Sequence, residues 1–130
     1  MTHISHKKLE AKIDKELKEL MLFCLKNLDR AKIKKVLNTI LTKTEIIMIK
    51  KRIGVLFLLQ ENMPLENIAK ITKTTRQTVY RIKLQLHEVA NEDKKFFISQ
   101  LKSWEIKDLV KGILNIKLPS KQIFRKRQLD

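Results

Sequence analysis

The sequence predicts an all-α fold. Glycine and proline each occur only twice among the 130 residues, so the chain has few of the turn-forming residues that join strands into a sheet. Apolar side chains recur instead at intervals of three and four residues, which is the spacing of one face of a helix. The length suits a single domain, although a core drawn out along separate helices would be thin unless a second copy of the chain completed it.

Two helices are predicted ahead of residue 42. The first covers residues 6–27, where a stripe of apolar side chains needs a partner to pack against. Asp29 has the position of an N-cap for the second helix, which ends near Leu41. The stripe of the first helix consists of Leu9, Ile13, Leu17, Leu20, Cys24 and Leu28.

The third predicted helix is the most apolar part of the chain. Thr42-Lys43-Thr44-Glu45 has the form of a capping box, which predicts a helix start close to Thr44. Residues 45–60 are apolar nearly all round, a pattern typical of a central, buried helix. Gly54 would let another helix approach closely. Pro64 then suits the first position of the next helix.

Residues 65–86 predict two short helices that meet at a tight turn. The link between them, residues 72–74, is so short that the helices must cross sharply, and the small Ala69 is the expected point of contact. This is the arrangement of a helix-turn-helix. The inward faces consist of Ile68, Ala69 and Ile71 in the first helix and of Val79, Ile82 and Leu86 in the second.

Further helices are predicted after the motif. Residues 91–93, Asn-Glu-Asp, indicate a break and an N-cap before a helix that runs from Phe96 to Trp104. A last short helix is predicted over residues 106–114. We therefore expect a domain over residues 1–90, additional helices over residues 91–118 that pack on it, and a basic, mobile tail over residues 119–130.

The charge of the chain favours a polyanionic partner. Lys and Arg number 29 against 14 Asp and Glu, giving a formal net charge of +15. A genome rich in A and T, which loads a chain with lysine, is an alternative source of this excess. The distribution favours nucleic acid, because basic residues are concentrated at the helix-turn-helix and at residues 117–129.

The helix-turn-helix also supplies candidate DNA contacts. Thr75 is the expected cap of the second helix, whose amino end would enter the major groove of double-stranded DNA. Arginine pairs naturally with guanine and glutamine with adenine. Any one of the lysines here could instead be a solvated surface charge. The predicted base-reading residues are Arg76, Gln77 and Tyr80, and the predicted contacts to the DNA backbone are Lys70, Lys73, Thr75, Thr78 and Lys83.

The segment Leu41–Leu86 resembles the Trp repressor family, in particular its Trp-repressor-like regulators. The resemblance covers roughly residues 6–90, and we assign no counterpart to residues 91–130. It implies an intertwined homodimer, in which a second subunit supplies the missing partners for the apolar stripes. The residues that match the family pattern are Leu41, Thr42, Glu45, Arg52, Ile68, Ala69, Thr78, Val79 and Arg81.

The sequence departs from the family in two places. Lys73 replaces the usual turn glycine, and a lysine adopts positive φ at greater cost. In tryptophan-binding members the indole lies between two arginines, which Arg52 and Arg81 match in kind. Ile82, however, replaces the glycine after the second arginine, and the spacing from Arg52 into the motif is one residue shorter. We therefore expect no cofactor and no tryptophan-like corepressor, and Arg81 would then be a structural or phosphate-binding residue.

Catalysis, metal binding and a membrane location are not expected. The histidines, His3, His6 and His87, have no paired carboxylate at a useful spacing. No apolar run approaches the length of a membrane span, and residues 1–12 lack the apolar centre of a signal peptide. The single cysteine, Cys24, is expected to be a small core residue and allows no disulfide, which fits a cytoplasmic protein.

Together these observations predict a transcriptional regulator, specifically a repressor, that binds particular DNA sequences as a homodimer. Two other functions are compatible with the same residues. One is the DNA-recognition subunit of a transposase or another mobile-element or packaging machine. The other is a basic helical oligomeric adaptor that binds nucleic acid without sequence preference.

Overall fold

The computed structural model of the protein describes residues 8–104. This part of the chain contains six helices and no strand, which confirms the predicted all-α class. The predicted helix over residues 106–114 and the predicted tail over residues 119–130 lie outside the described residues, as do His3 and His6. The helices are α1 (Ala11–Leu25), α2 (Arg30–Ile40), α3 (Lys43–Gln60), α4 (Leu65–Thr72), α5 (Arg76–Leu86) and α6 (Asn91–Lys102).

The chain divides into two compact units at the boundary between Met48 and Ile49, which lies within α3. In the first unit α1 packs against α2. The predicted cap of α2 is confirmed, because the Lys32 backbone N–H donates to Oδ1 of Asp29 over 2.9 Å. Neither helix contains a buried residue.

The apolar stripe of α1 is therefore uncovered in the single chain. Leu17 is 46% exposed and Leu20 is 57% exposed. The expectation that Cys24 is a core residue is wrong for the single chain, in which this side chain is exposed. The physical reason is that the contact of α1 with α2 does not enclose the stripe.

The predicted capping box at the start of α3 is confirmed. The Thr42 N–H donates to Oε1 of Glu45 over 2.9 Å, and the Glu45 N–H donates to Oγ1 of Thr42 over 3.1 Å. The hydrogen bond from the Thr42 backbone, with a smaller contribution from the Thr42 side chain, holds the pKa of Glu45 below its ordinary value. The start of α3 is thus set by an exchange of two hydrogen bonds within four residues.

The prediction that α3 is buried all round is wrong for the single chain. In its carboxyl-terminal half Val55, Phe57 and Leu58 are buried. In its amino-terminal half Met48 is 56% exposed and Ile47 is 50% exposed. The apolar pattern of α3 therefore combines a half that forms the core of the second unit with a half that the described residues leave uncovered.

The core of the second unit lies where α3, α4 and α5 meet. Its centre consists of side chains with almost no exposed surface, contributed by all three helices. At its edge the rings of Phe57 and Trp104 make an edge-to-face contact, with centroids 5.4 Å apart and planes inclined at 77°. The core residues are Val55, Phe57, Leu58, Met63, Ile68, Ala69, Val79 and Ile82.

Two predicted helix starts need small corrections. Pro64 occupies the N-cap position of α4 and not its first helical position, since α4 begins at Leu65. Residues 91–93 form the first turn of α6, and Ala90 is the N-cap without a side-chain hydrogen bond. Glu92 and Asp93 still favour this helix start, because carboxylates in a first turn interact with the positive end of the helix dipole.

Gly54 yields a test of the packing around α3. A Cβ atom at this position would have its nearest neighbour, Cγ2 of Thr72, at 3.7 Å, which is an ordinary van der Waals contact. We expect Gly54→Ala to raise the free energy of unfolding by about 0.5–1 kcal/mol, because alanine has the higher helix propensity. Denaturation by urea measures this change.

Lys50→Ala is the matched control, since it introduces the same residue at an exposed position of the same helix without removing a glycine. We expect this control to leave stability nearly unchanged. A loss of stability for Gly54→Ala would contradict the prediction and would mean that another chain or segment packs closely on Gly54.

Candidate nucleic-acid interface

The structure confirms the predicted helix-turn-helix within the second unit. Helices α4 and α5 pack against each other, and each turns one apolar face inward. Ile68 and Val79 have no exposed surface, while Ala69 is only 7% exposed. The small side chain at residue 69 is therefore buried, as expected for the position where the two helices come close.

The turn of the motif is one residue later than predicted. Thr72 belongs to α4, so the link consists of residues 73–75. Lys73 adopts the left-handed conformation, with φ 54° and ψ 46°, and its N–H donates to the carbonyl of Ala69. The Thr74 N–H donates to the same carbonyl over 2.9 Å. The lysine thus takes the backbone conformation for which glycine is the usual residue.

Hydroxyl groups on both sides of Lys73 reinforce the turn. Thr72 Oγ1 donates to the carbonyl of Ile68 over 2.7 Å and lies 3.0 Å from Oγ1 of Thr74. Both threonines are half-buried. Short-range hydrogen bonds therefore hold both sides of the turn.

One contact at the turn was not predicted from the sequence. Nζ of Lys51, in α3, donates to the carbonyl oxygen of Lys73 over 3.1 Å. The two residues are 22 positions apart, so no local pattern of spacing could reveal the pair. The turn of the motif is thereby joined to α3 by a charged donor.

Thr75 caps the amino end of α5, as predicted. Its Oγ1 accepts a hydrogen bond from the Thr78 N–H over 3.1 Å and lies 2.9 Å from Oγ1 of Thr78. The cap fixes the direction in which α5 leaves the turn, and the helix dipole gives this end a partial positive charge. The first turn of α5 is therefore electrostatically suited to approach an anion such as DNA.

The predicted base-reading residues lie on the accessible side of α5. Arg76 and Gln77 occupy the first two helical positions and are exposed, and Tyr80 is 50% exposed. Val79, which lies between Gln77 and Tyr80 in the sequence, is fully buried. The burial of one face of α5 thus leaves the predicted set facing solvent, with Arg76 and Tyr80 one turn apart along the helix.

The predicted backbone contacts fall into two groups. Lys70, Lys73 and Thr75 are exposed around the turn, whereas Lys83 is exposed in the last turn of α5, about 10 Å along the helix from Arg76. Thr78 is half-buried, and its hydroxyl is engaged with the cap residue. Lys83 could therefore meet DNA only at a phosphate separate from those near the turn.

Arg52 and Arg81, the possible effector-binding or structural residues, are both exposed. Ile82, which follows the second arginine, is only 8% exposed and belongs to the core of the second unit. Its side chain therefore fills interior volume that a glycine would leave open. Leu84, on the same side of α5 as Arg81, is 48% exposed in the single chain.

Two further properties concern the described part of the chain only. Within residues 8–104 no helix is long and apolar enough to cross a membrane. The same residues contain no group of three or more His, Cys, Asp and Glu side chains arranged to hold a metal ion.

The fold and the exposed first turn of α5 define a protein of the helix-turn-helix class. The family model described as Trp repressor protein matches residues 15–102. The chain belongs to this family. The match confirms the predicted resemblance over residues 15–90 and extends it through α6, so the helix for which we assigned no counterpart is also part of the family region. No curated protein and no solved structure matches the chain.

Proposed function

We propose that the protein binds specific double-stranded DNA sequences as a homodimer and represses transcription. The observation that carries this proposal is the exposed set Arg76, Gln77 and Tyr80 at the capped amino end of α5. The family supports it, because its members are helix-turn-helix DNA-binding regulators.

Base reading is assigned to the first turn of α5. An arginine can donate two hydrogen bonds to guanine, and a glutamine can exchange two with adenine, each pair giving about 1–3 kcal/mol of discrimination. Gln77 directly follows Arg76, so the two side chains can reach neighbouring base pairs. Tyr80, one turn further along the helix than Arg76, can contact the groove beside them.

Phosphate contacts are assigned to the remaining predicted residues. Lys70, Lys73 and Thr75 surround the turn, so they can meet the DNA backbone beside the groove that α5 enters. Lys83, together with Thr78, would contact the backbone along α5. Each phosphate that a lysine neutralises releases counterions, so binding should weaken steeply as salt rises.

Homodimerisation is supported by uncovered apolar surface. Helix α1 contains no buried residue, and most of its apolar side chains are large. Surfaces of this kind usually mark an interface. A second copy carries the same surface and can cover it symmetrically, and such a dimer would contain two α5 helices, as a two-fold DNA site requires. The exposed apolar side chains of α1 are Ile13, Leu17, Leu20, Met21, Leu22, Phe23 and Leu25.

The first prediction from the proposed function concerns base reading. Arg76→Ala and Gln77→Ala should each reduce discrimination between a preferred duplex and a random duplex about tenfold, because each removes one bidentate pair. The preferred duplex is recovered from a random library by selection with the unaltered protein. Gel shifts or fluorescence anisotropy at fixed salt measure both affinities.

Arg30→Ala and Gln85→Ala are the matched controls, since they remove the same side chains from exposed positions elsewhere on the chain. Retained discrimination in the Arg76 and Gln77 variants would mean that base reading is misassigned. Binding by the unaltered protein that ignores sequence and strandedness would refute the regulator and favour a non-specific adaptor.

The second prediction concerns the dimer. The unaltered protein should sediment as a dimer, and Leu17→Glu should shift it towards monomer, because a charge on the α1 stripe cannot be buried without a partner. Lys18→Glu is the control, since it introduces the same residue at the next position. The reactivity of Cys24, the only cysteine, provides a second measurement on the unaltered protein.

The Cys24 thiol should react more slowly in the dimer than after dilution below the dissociation constant. This measurement does not depend on the variant, so it holds whether or not the monomer of the variant folds alone. A monomeric protein with a freely reactive thiol at all concentrations would contradict the prediction.

The third prediction concerns the effector. We propose that tryptophan is not a corepressor of this protein, since Ile82 occupies core volume beside Arg81. Millimolar tryptophan should change neither the melting temperature nor the affinity for the preferred duplex. A ligand present at a hundred times its dissociation constant adds about 2.7 kcal/mol of stability, so a rise in melting temperature would be readily seen and would refute the proposal.

A further inference from the structure

Lys51 differs from its neighbours on α3 in both burial and contact. It is half-buried, whereas Lys50 and Arg52 are exposed. Its ammonium donates to the carbonyl oxygen of Lys73 over 3.1 Å. This hydrogen bond is exposed to solvent, but a hydrogen bond with a charged donor is stronger than one between neutral groups.

The residue that Lys51 holds has an unfavourable backbone conformation. Lys73 lies in the left-handed region, where Cβ is crowded against the backbone and where glycine is the favoured residue. Such a conformation persists only when the surrounding structure determines it. Here the N–H of Lys73 is bound to the carbonyl of Ala69, and its carbonyl is bound to Lys51.

The direction of α5 depends on this residue. Thr75, the cap of α5, is only two positions after Lys73, and Arg76 follows directly. Hydrogen bonds to base edges require narrow ranges of distance and angle. A small change at the turn would therefore weaken base reading more than contacts to phosphate, which tolerate a wider range of positions.

We propose that Lys51 is a positioning residue for DNA recognition, which holds the left-handed turn through the Lys73 carbonyl and thereby sets the amino end of α5. This inference rests on the proposed function, because it assumes that α5 reads DNA. The turn depends on Lys51 because residue 73 is a lysine. A glycine there would adopt the same backbone conformation without crowding.

The test compares Lys51→Met with Lys50→Met. Both remove one charge from α3, but only the first removes the donor to Lys73. The probes are the duplex selected by the unaltered protein and a random duplex of the same length. We expect Lys51→Met to weaken binding to the selected duplex about fivefold, a loss in the range of one ordinary hydrogen bond, and to leave binding to the random duplex and the salt dependence unchanged.

A direct phosphate contact by Lys51 would give a different result. Binding to both duplexes would then weaken together, and the slope of log affinity against log salt would fall by about one. That outcome would overturn the positioning role. Equal effects of Lys51→Met and Lys50→Met would also overturn it, because they would reflect net charge alone.

Two further variants test the mechanism. Lys51→Arg keeps a cationic donor and should retain most of the selectivity. In the Lys73→Gly background, Lys51→Met should reduce selectivity by less than it does in the unaltered protein, because glycine holds the turn without help. An undiminished effect in that background would contradict the proposed link to Lys73.

A measurement without DNA separates this inference from the proposed function. The Thr74 N–H, bound to the carbonyl of Ala69 over 2.9 Å, should exchange its hydrogen faster in Lys51→Met than in Lys50→Met, while core amides of α3 stay unchanged in both. Unchanged exchange at Thr74 would refute the hold on the turn. Faster exchange at Thr74 in Lys51→Met, in a protein that shows no sequence preference for DNA, would refute the proposed function and with it the positioning role. The contact between Lys51 and Lys73 would still be supported by that result.

Discussion

The burial of four side chains from three helices is the constraint on which the rest of the second unit depends. Val55 and Leu58 of α3, Ile68 of α4 and Val79 of α5 have at most 1% of their surface exposed. Burial of each is worth about 1.5–3 kcal/mol. A lysine in the left-handed conformation costs about 1–2 kcal/mol. The core is therefore strong enough to offset the cost of this conformation at Lys73.

This balance explains how the motif can function without its turn glycine. The core fixes where α4 ends and where α5 begins, so the chain between them must reverse within residues 73–75. Hydrogen bonds partly offset the cost of the left-handed conformation at Lys73. The carbonyl of Ala69 accepts hydrogen bonds from two backbone N–H groups, and the carbonyl of Lys73 accepts one from Lys51. None of these contacts uses Arg76 or Gln77, so both side chains stay available for the base contacts that we propose for them.

Local rules were sufficient to predict much of the fold and candidate site. Asp29 and Thr75 cap helices through hydrogen bonds to residues three positions later, and short spacing of this kind is visible in a sequence. The periodicity of apolar residues likewise predicted which face of α5 is buried. The contact of Lys51 with Lys73 could not be predicted, because it depends on how α3 packs against the turn. The sequence also contains many other lysines that could have made such a contact.

For α1 and for the first half of α3, the periodicity of apolar residues predicted burial that the single chain does not show. An apolar stripe predicts that a surface will be covered, but it contains no information about which molecule covers it. Leu17 and Met48 are each about half exposed in the single chain, although their spacing is that of core residues. The same signal therefore predicted burial correctly at Val55 and Val79. At Leu17 it also predicted burial, but the single chain leaves this side chain uncovered. The homodimer that we propose would account for such a surface, since a two-fold dimer would both bury it and carry two copies of α5.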